Sequence, residues 1–255
     1  MRAWYANGVP ARVIYGINAV VEALRSRGRS IQYVAVARER RDDRVQGVIE
    51  AARTAGVMVR LLPREQVSKV AGTDLHQGVV AVGGGRAYAD LDELLEHRRG
   101  EFAFVAVLDG IEDPHNLGAI LRTADAAGAD GVVIPERRAA GVTGAVAKAS
   151  AGASEHVRIA RVTNIARTLD DLKQRNVWIV GLDERGDRSY DAVDFRMDCA
   201  LVLGAEGRGL HDLVRRKCDF VVSIPMLGEV PSLNVSVAAG VVMYEMVRQR
   251  RGAKK

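Results

Sequence analysis

The chain has 255 residues and a globular composition, with 48% hydrophobic and 27% charged residues. This length predicts one large domain or two modest ones. The longest apolar run, at 102–108, is too short to span a bilayer, and the N-terminus lacks the apolar core of a signal peptide. Because Cys199 and Cys218 form no CxxC pair and the five histidines lack ligand spacing, we expect a reducing, cytoplasmic compartment and no structural metal.

The net charge of +5 is carried by the first part of the chain. Residues 1–100 hold 16 Lys and Arg against 11 Asp and Glu, whereas residues 101–255 hold 21 of each. Such an excess is typical of a nucleic-acid-binding surface, although solvated arginine-rich faces explain it about as well. The chain closes with a second basic stretch, RQRRGAKK, whose end we expect to be frayed.

Helix and strand signals alternate over the first 83 residues. Apolar residues at helical spacing that end at a glycine predict the helices, and clusters of β-branched residues predict the strands. The predicted helices are 18–27, 43–55 and 63–70, and the predicted strands are 31–37, 57–61 and 79–82. They predict a compact αβ domain over residues 12–83. The glycine-rich and charged stretch that follows, 84–100, is interpreted as a linker.

A second alternation begins at Phe102 and predicts an α/β domain over residues 101–255. The predicted strands are 102–108, 131–134, 157–161, 177–182, 200–203 and 220–224, and the predicted helices are 117–127, 143–150, 164–174, 211–217 and 233–250. Short apolar strands separated by helices are typical of a buried, mostly parallel sheet. The last helix is apolar nearly all round, which predicts that it is buried on all sides.

Ligands in parallel sheets bind beyond the carboxyl ends of the strands, where three loops of this chain carry polar residues. The first, in DPHNLGAILRTADAAG, places Asn116 to cap the next helix and leaves Arg122 off that helix's apolar stripe. Arg122 can therefore face a pocket or solvent.

The other two loops follow later strands. LGAEGRGL carries Gly204 and Glu206 in a turn whose glycines let backbone approach a ligand closely. Its spacing, G-x-x-G-x-G, is neither the dinucleotide fingerprint nor a phosphate-binding P-loop. IPMLGEVPSLNVSVAAG presents Ser232, Leu233 and Asn234 at the start of the last helix, and serine and asparagine are residues that cap helices.

These three ordered motifs resemble those of the SpoU/TrmH-type RNA 2′-O-ribose methyltransferases of the SPOUT superfamily, and the resemblance covers nearly the whole chain. YGINAVVEAL and DLHQGVVAV resemble the substrate-binding domain of the subgroup that methylates one guanosine of 23S rRNA. One departure is Pro231, which stands where close relatives often carry a second serine before S-L-N.

The resemblance implies a fold and an assembly. It implies a small N-terminal αβ (L30e-like) domain that binds RNA and a C-terminal α/β domain threaded into a deep trefoil knot. It also implies a homodimer with the active site at the subunit interface, S-adenosylmethionine as cofactor and 23S rRNA as substrate. The residue spacing and the short apolar runs noted above predict neither a metal nor a membrane partner.

The resemblance further implies the roles of individual residues. The catalytic residues would be Asn116, Arg122, Glu206, Ser232 and Asn234, and the cofactor-binding residues would be Gly204, Ile224 and Leu233. Because arginine stays protonated in proteins, we expect Arg122 to hold a phosphate and to stabilise the developing alkoxide rather than to accept a proton.

Three alternatives remain open. A tRNA guanosine 2′-O-methyltransferase of the same family usually lacks a separate N-terminal domain. A non-catalytic RNA-binding relative is disfavoured by the intact Arg122, Glu206 and Asn234. A nucleotide-dependent α/β enzyme such as a dehydrogenase is disfavoured by the missing fingerprints.

Overall fold

The computed structural model describes residues 5–6, 9–10, 12–40, 42–83 and 88–252. The chain divides into two compact units, one containing residues 1–87 and 141–156 and the other containing residues 88–140 and 157–255. The glycine-rich part of the predicted linker, 84–87, and the end of the basic tail, 253–255, lie outside the described residues.

The first unit is built on a four-stranded sheet. Its elements before residue 88 are β1 (Tyr5–Ala6), β2 (Val9–Pro10), β3 (Arg12–Tyr15), α1 (Ile17–Arg27), β4 (Ile31–Ala37), α2 (Asp43–Thr54), β5 (Met58–Leu62), α3 (Arg64–Ala71) and β6 (Val79–Gly83). The sheet order is β3-β6-β4-β5, in which β6 is antiparallel to both neighbours and β5 is parallel to β4. Strand β3 was not predicted, whereas the other elements of this sheet were.

Strand β4 shows why helices cover both faces of this sheet. Successive side chains of a strand point to opposite faces. Val34 and Val36 accordingly join the core formed with α1 and α2, while Ala35 and Ala37 join the core formed with α3. The predicted fold class of this part of the chain, a small αβ domain, is confirmed.

The remaining elements build the second unit, except for α6. They are α4 (Leu91–Glu96), β7 (Phe104–Asp109), α5 (Pro114–Ala126), β8 (Gly131–Pro135), α6 (Gly144–Ala149), β9 (Ile159–Val162), α7 (Ile165–Lys173), β10 (Trp178–Leu182), β11 (Arg188–Ser189), β12 (Cys199–Gly204), α8 (Asp212–Lys217), β13 (Phe220–Ser223) and α9 (Val235–Gly252). The sheet order is β11-β13-β10-β12-β7-β8-β9, and each neighbouring pair is parallel. The expected parallel α/β sheet is confirmed, and the trefoil knot stays a prediction.

The segment 141–156 lies between elements of the second unit in sequence but packs in the first unit. Helix α6 lies so close to β3 that a Cβ atom on Gly144 would sit 2.5 Å from the carbonyl oxygen of Val13. Further along the segment, the buried carboxylate of Glu155 pairs with the Arg12 guanidinium at 2.9 Å. The sequence pattern had assigned this segment to the 101–255 domain, because local signals cannot show which sheet a helix packs on.

The stretch interpreted as a linker contains a helix. In α4, Asp90 caps the N-terminus by accepting a hydrogen bond from the Glu93 N–H, and the Glu93 side chain accepts from the Asp90 N–H. Leu94 is fully buried in the core of the second unit. Leu91 and Leu95 also pack against this core. The prediction of a linker was therefore wrong for residues 91–96, because the charged residues of this stretch outweighed its apolar pattern.

Helix α9 is not buried on all sides within one chain. Ala239, Val242 and Met243 are fully buried, but Val237 is 52% exposed and Tyr244 is 53% exposed. The prediction of complete burial was therefore wrong for the single chain, because the described residues of the second unit leave this face exposed. In the described part of the chain, no helix is both long and apolar enough to cross a membrane.

Candidate active site

Three polar side chains from the three predicted loops are joined by hydrogen bonds. The side-chain amide of Asn116 donates to Glu206 Oε2 at 3.1 Å. The side-chain amide of Asn234 donates to Asn116 Oδ1 at 3.0 Å and to Glu206 Oε1 at 3.4 Å. These residues follow β7, β12 and β13, and β12 lies beside β7 in the sheet. We refer to Asn116, Glu206 and Asn234 as the amide–carboxylate cluster.

Asn116 is oriented by the start of α5. Asp113, rather than Asn116, caps this helix, and its Oδ1 accepts from the His115 N–H at 2.8 Å. The helix begins earlier than predicted because Pro114 is well tolerated at the first helical position. The side chain of Asn116 is therefore not used as a cap, and it points from the first turn toward Glu206, with 7% of the residue exposed.

Asn234 is oriented by the start of α9, as predicted. Its Oδ1 accepts from the Ser236 N–H at 2.9 Å and from the Ser236 hydroxyl at 2.6 Å. An asparagine that caps a helix with its oxygen must direct its NH₂ group elsewhere. Here the NH₂ group points at Asn116 and Glu206, so the helix that Asn234 caps fixes the geometry of the cluster.

The loop that carries Glu206 folds back on itself. A Cβ atom on Gly204 would lie 2.2 Å from the carbonyl carbon of Gly209, so no side chain fits at position 204. Gly207 and Gly209 have φ angles of 75° and 70°, which residues other than glycine seldom adopt. The glycines that suggested a ligand contact thus also serve the tight turn that presents Glu206.

An apolar cavity adjoins the amide–carboxylate cluster, and we call it the first cavity. It is lined by the three positions expected to bind the cofactor, Gly204, Ile224 and Leu233, and also by Ser232 and Glu206. Leu182, Leu203 and Met226 supply further apolar wall. The structure thus brings four of the five predicted catalytic residues and the three predicted cofactor positions to one region.

The loop after β10 contributes residues that the motifs did not indicate. Asp183 and Glu184 line the first cavity. Asp183 is buried, and its carboxylate accepts hydrogen bonds from the Arg185 guanidinium and from the Leu210 N–H. Burial raises the pKa of Asp183, but these hydrogen bonds outweigh it and lower the pKa to about 2. The signal in the sequence was an aspartate directly after an apolar strand.

A second, more polar cavity shares Ala205, Glu206 and Val235 with the first. It also contains Asn116, together with Arg138, Arg208 and His211. We call it the second cavity. Since both cavities contain Glu206, the amide–carboxylate cluster lies where they meet.

Arg122 lies apart from both cavities. It is exposed on α5 and makes no hydrogen bond or ion pair with the residues that the structure describes. A helix rises about 1.5 Å and turns about 100° per residue, which places Arg122 about 9 Å further along α5 than Asn116 and on a different side of the helix. Within one chain, Arg122 does not join the other predicted catalytic residues.

Family models match most of the chain. The model described as the SpoU rRNA Methylase family matches residues 103–244. The model described as RNA 2′-O ribose methyltransferase substrate binding matches residues 13–88. The chain belongs to the SpoU rRNA methylase family, and the resemblance seen in its motifs is confirmed.

Two curated relatives are similar over nearly their whole length. A putative TrmH family tRNA/rRNA methyltransferase, YacO of Bacillus subtilis (strain 168), is 47% identical over 93% of this chain and 95% of its own. The 23S rRNA (guanosine-2′-O-)-methyltransferase RlmB of Ralstonia nicotianae is also 47% identical, over 94% of this chain and 96% of its own.

Solved structures show the same fold. The SpoU methyltransferase AviRb from Streptomyces viridochromogenes, in complex with AdoMet (S-adenosylmethionine), has a TM-score of 0.78 and 27% identity, covering 95% of this chain and 92% of that one. An AdoMet-bound rRNA methyltransferase from Sinorhizobium meliloti has a TM-score of 0.74 and 25% identity, covering 96% and 88%.

Proposed function

We propose that this protein transfers a methyl group from S-adenosylmethionine to the ribose 2′-hydroxyl of a guanosine in 23S rRNA. The observation that carries the proposal is the amide–carboxylate cluster, which lies at the junction of an apolar and a polar cavity. The relative named for 23S rRNA guanosine methylation supports the choice of substrate.

The first cavity fits S-adenosylmethionine. Leu182, Leu203 and Ile224 offer apolar surface for an adenine ring, while Glu184 and Glu206 offer carboxylates to a cationic ligand. When bound, the cofactor supplies an already activated methyl group on a sulfonium, so the protein has to align the acceptor hydroxyl and manage its proton.

The chain's own residues would divide that work. Glu206 holds the amides of Asn116 and Asn234 in fixed directions, and fixed donors and acceptors of this kind position a ribose better than mobile ones. Ser232, in the wall of the first cavity, would bind the acceptor through its hydroxyl. Arg122 would stabilise the negative charge that develops on the 2′-oxygen, since guanidinium groups bind oxyanions strongly.

We propose that the enzyme is a homodimer and that Arg122 completes the site of the partner subunit. Arg122 is exposed and remote from the cluster of its own chain. Val237 and Tyr244 of α9, a helix that packs on α5, are about half exposed, and Leu227 beside the first cavity is 99% exposed. Such apolar surface is typical of a protein interface.

The first unit would bind RNA without taking part in the chemistry. The matching substrate-binding family model and the excess of basic residues support this role. Cys199 and Cys218 are both free, and burial raises the pKa of each thiol to about 12. Unreactive free thiols fit the expected cytoplasmic location.

The test is transfer of labelled methyl from S-adenosylmethionine to 23S rRNA and to tRNA in separate reactions. We expect incorporation into 23S rRNA and protection of one guanosine 2′-hydroxyl from alkaline cleavage. Incorporation into tRNA alone would show that tRNA, and not 23S rRNA, is the substrate. The proposed function would be refuted if calorimetry detected no binding of S-adenosylmethionine either with or without RNA.

A further inference from the structure

We propose that the second cavity binds the phosphodiester beside the target ribose and that Arg138 is its principal ligand. This inference rests on the proposed function. The second cavity is lined by Asn116 and Glu206 of the amide–carboxylate cluster, and Arg138 lines the same cavity. A ribose held at the cluster would carry its phosphate into this cavity.

The backbone at Arg138 is fixed in an unusual conformation. Its φ angle is 56°, in the left-handed region that residues other than glycine, asparagine and aspartate seldom occupy. Hydrogen bonds hold the loop on either side, from the Glu136 N–H to the Val162 oxygen at 2.8 Å and from the Ala140 N–H to the Ile111 oxygen at 2.9 Å. Strained residues held in this way are frequent in ligand-binding sites.

The guanidinium of Arg138 is available to a ligand. Arg138 is exposed and has no hydrogen bond or ion pair with any residue in the described ranges. Gly110 also lines the second cavity, and a Cβ atom added there would lie 3.9 Å from the Arg138 carbonyl oxygen and 3.4 Å from the His211 ring. The absence of a side chain at position 110 keeps the cavity open beside Arg138.

Most carboxylates in or beside the second cavity already accept hydrogen bonds from neighbouring N–H groups. Glu206 accepts the two cluster amides, and Asp113 caps α5. Asp109 accepts from the His211 N–H at 2.9 Å and from His211 Nδ1 at 3.0 Å. Glu112, which is exposed, is the remaining carboxylate among the described lining residues.

Among the described residues, the second cavity carries two guanidinium groups without a carboxylate partner, beside the carboxylates of Glu112, Asp113 and Glu206. Arg138 and Arg208 both line it, and neither has an ion pair within the part of the chain that the structure describes. An arginine presents two parallel donors that match a phosphate bidentately. A phosphodiester is the RNA group that lies directly beside a ribose, and a guanidinium binds it through charge as well as through paired donors.

The test uses the full-length protein and three variants. Arg138→Gly removes the guanidinium and leaves a residue that adopts a φ of 56° without strain. Arg138→Ala removes the same group but retains the backbone strain. Arg137→Ala is the matched control, because Arg137 is the adjacent exposed arginine and does not line the second cavity. The probe is an in vitro transcribed fragment of 23S rRNA.

We expect Arg138→Gly and Arg138→Ala to raise the KM for this RNA by about tenfold, the effect of losing one charge-assisted contact. The plot of log affinity against log salt concentration should become less steep by the amount that corresponds to about one phosphate contact. Affinity for S-adenosylmethionine should not change, and Arg137→Ala should resemble the wild type in each measurement.

Two results would overturn the assignment while leaving the proposed function intact. If Arg138→Gly retains the KM and salt slope of the wild type, the guanidinium binds no phosphate. If Arg138→Ala alone is impaired, position 138 matters for its backbone and not for its charge. A wild-type protein that methylates no RNA would instead refute the proposed function itself.

Discussion

Asn234 donates its side-chain N–H to Oδ1 of Asn116 at 3.0 Å, although the two residues are 118 positions apart in the chain. The same Asn234 caps α9 with its oxygen. One side chain therefore serves both as the N-terminal cap of the last helix and as a member of the amide–carboxylate cluster. The two roles use different atoms of one amide, which makes them separable by substitution.

The substitution Asn234→Asp separates these two roles. The aspartate keeps an oxygen acceptor for the Ser236 N–H but places a second oxygen against Asn116 and Glu206, where NH₂ donated before. We expect methyl transfer to fall by about a hundredfold or more, as when an oriented donor is removed from an active site, with the helix still capped.

Asn234→Ala is the comparison for the aspartate variant. It removes both roles and should lower the free energy of unfolding by about 1 kcal/mol through loss of the cap. Urea unfolding and methyl transfer are measured on the same preparations. An aspartate variant as active as the wild type would show that the Asn234 NH₂ group has no part in the reaction.

Arg122→Ala should abolish methyl transfer without lowering stability or cofactor affinity. Arg122 is exposed and lines neither cavity, so its truncation leaves no void. Arg122→Lys should also transfer poorly, since an ammonium does not reproduce the bidentate geometry of a guanidinium. Calorimetry with S-adenosylmethionine and transfer to 23S rRNA measure the two properties separately.

Mixing inactive variants tests whether Arg122 acts across the dimer. A heterodimer of Arg122→Ala and Asn234→Ala subunits contains one site with both residues intact only if Arg122 comes from the partner subunit. Random reassociation would then restore about a quarter of wild-type activity, because half of the dimers carry one complete site of two. No recovery in a mixture shown to contain heterodimers would place Arg122 in its own subunit's site.

Arg250→Ala should destabilise the second unit. The Arg250 guanidinium donates to the carbonyl oxygens of Phe195, Phe102, Ala103 and Met197, which ties α9 to the segments that precede β7 and β12. Its removal leaves carbonyl acceptors without a partner, so we expect the free energy of unfolding to fall by about 3 kcal/mol.

The adjacent Arg251 supplies the control for this prediction. It is exposed and makes no hydrogen bond or ion pair in the ranges that the structure describes, so Arg251→Ala should stay within about 0.5 kcal/mol of the wild type. Equal urea midpoints for the two alanine variants would contradict the role given to Arg250.

Asp183 should make stability depend on acid pH. Its pKa lies near 2 in the folded protein, below the ordinary value of 3.8, so its carboxylate stabilises the folded state above that ordinary value. This contribution is lost as the pH falls through the interval from 3.8 to about 2. Asp183→Asn should show a shallower loss of stability over that interval, measured by urea unfolding at a series of pH values. If the free energy of unfolding of the variant and of the wild type changed equally with pH, the stabilising role given to the Asp183 carboxylate would be contradicted.

The sequence by itself determined the parallel α/β sheet and the three loops that follow its strands. It also determined that Asn116, Glu206 and Asn234 lie in one region. These features depend on short-range signals. Apolar strand runs, glycine turns and helix-capping residues act within a few positions of the chain. The carboxyl ends of parallel strands then meet at one edge whatever the details of packing.

The tertiary structure alone decided which surfaces are covered and which side chains meet. It placed 141–156 in the first unit, buried Leu94 of the presumed linker, left Val237 and Tyr244 exposed, and kept Arg122 away from the cluster. It also brought Asp183 and Arg138 to the cavities. Each of these outcomes depends on contacts between residues far apart in the chain, which helical periodicity and capping signals do not encode.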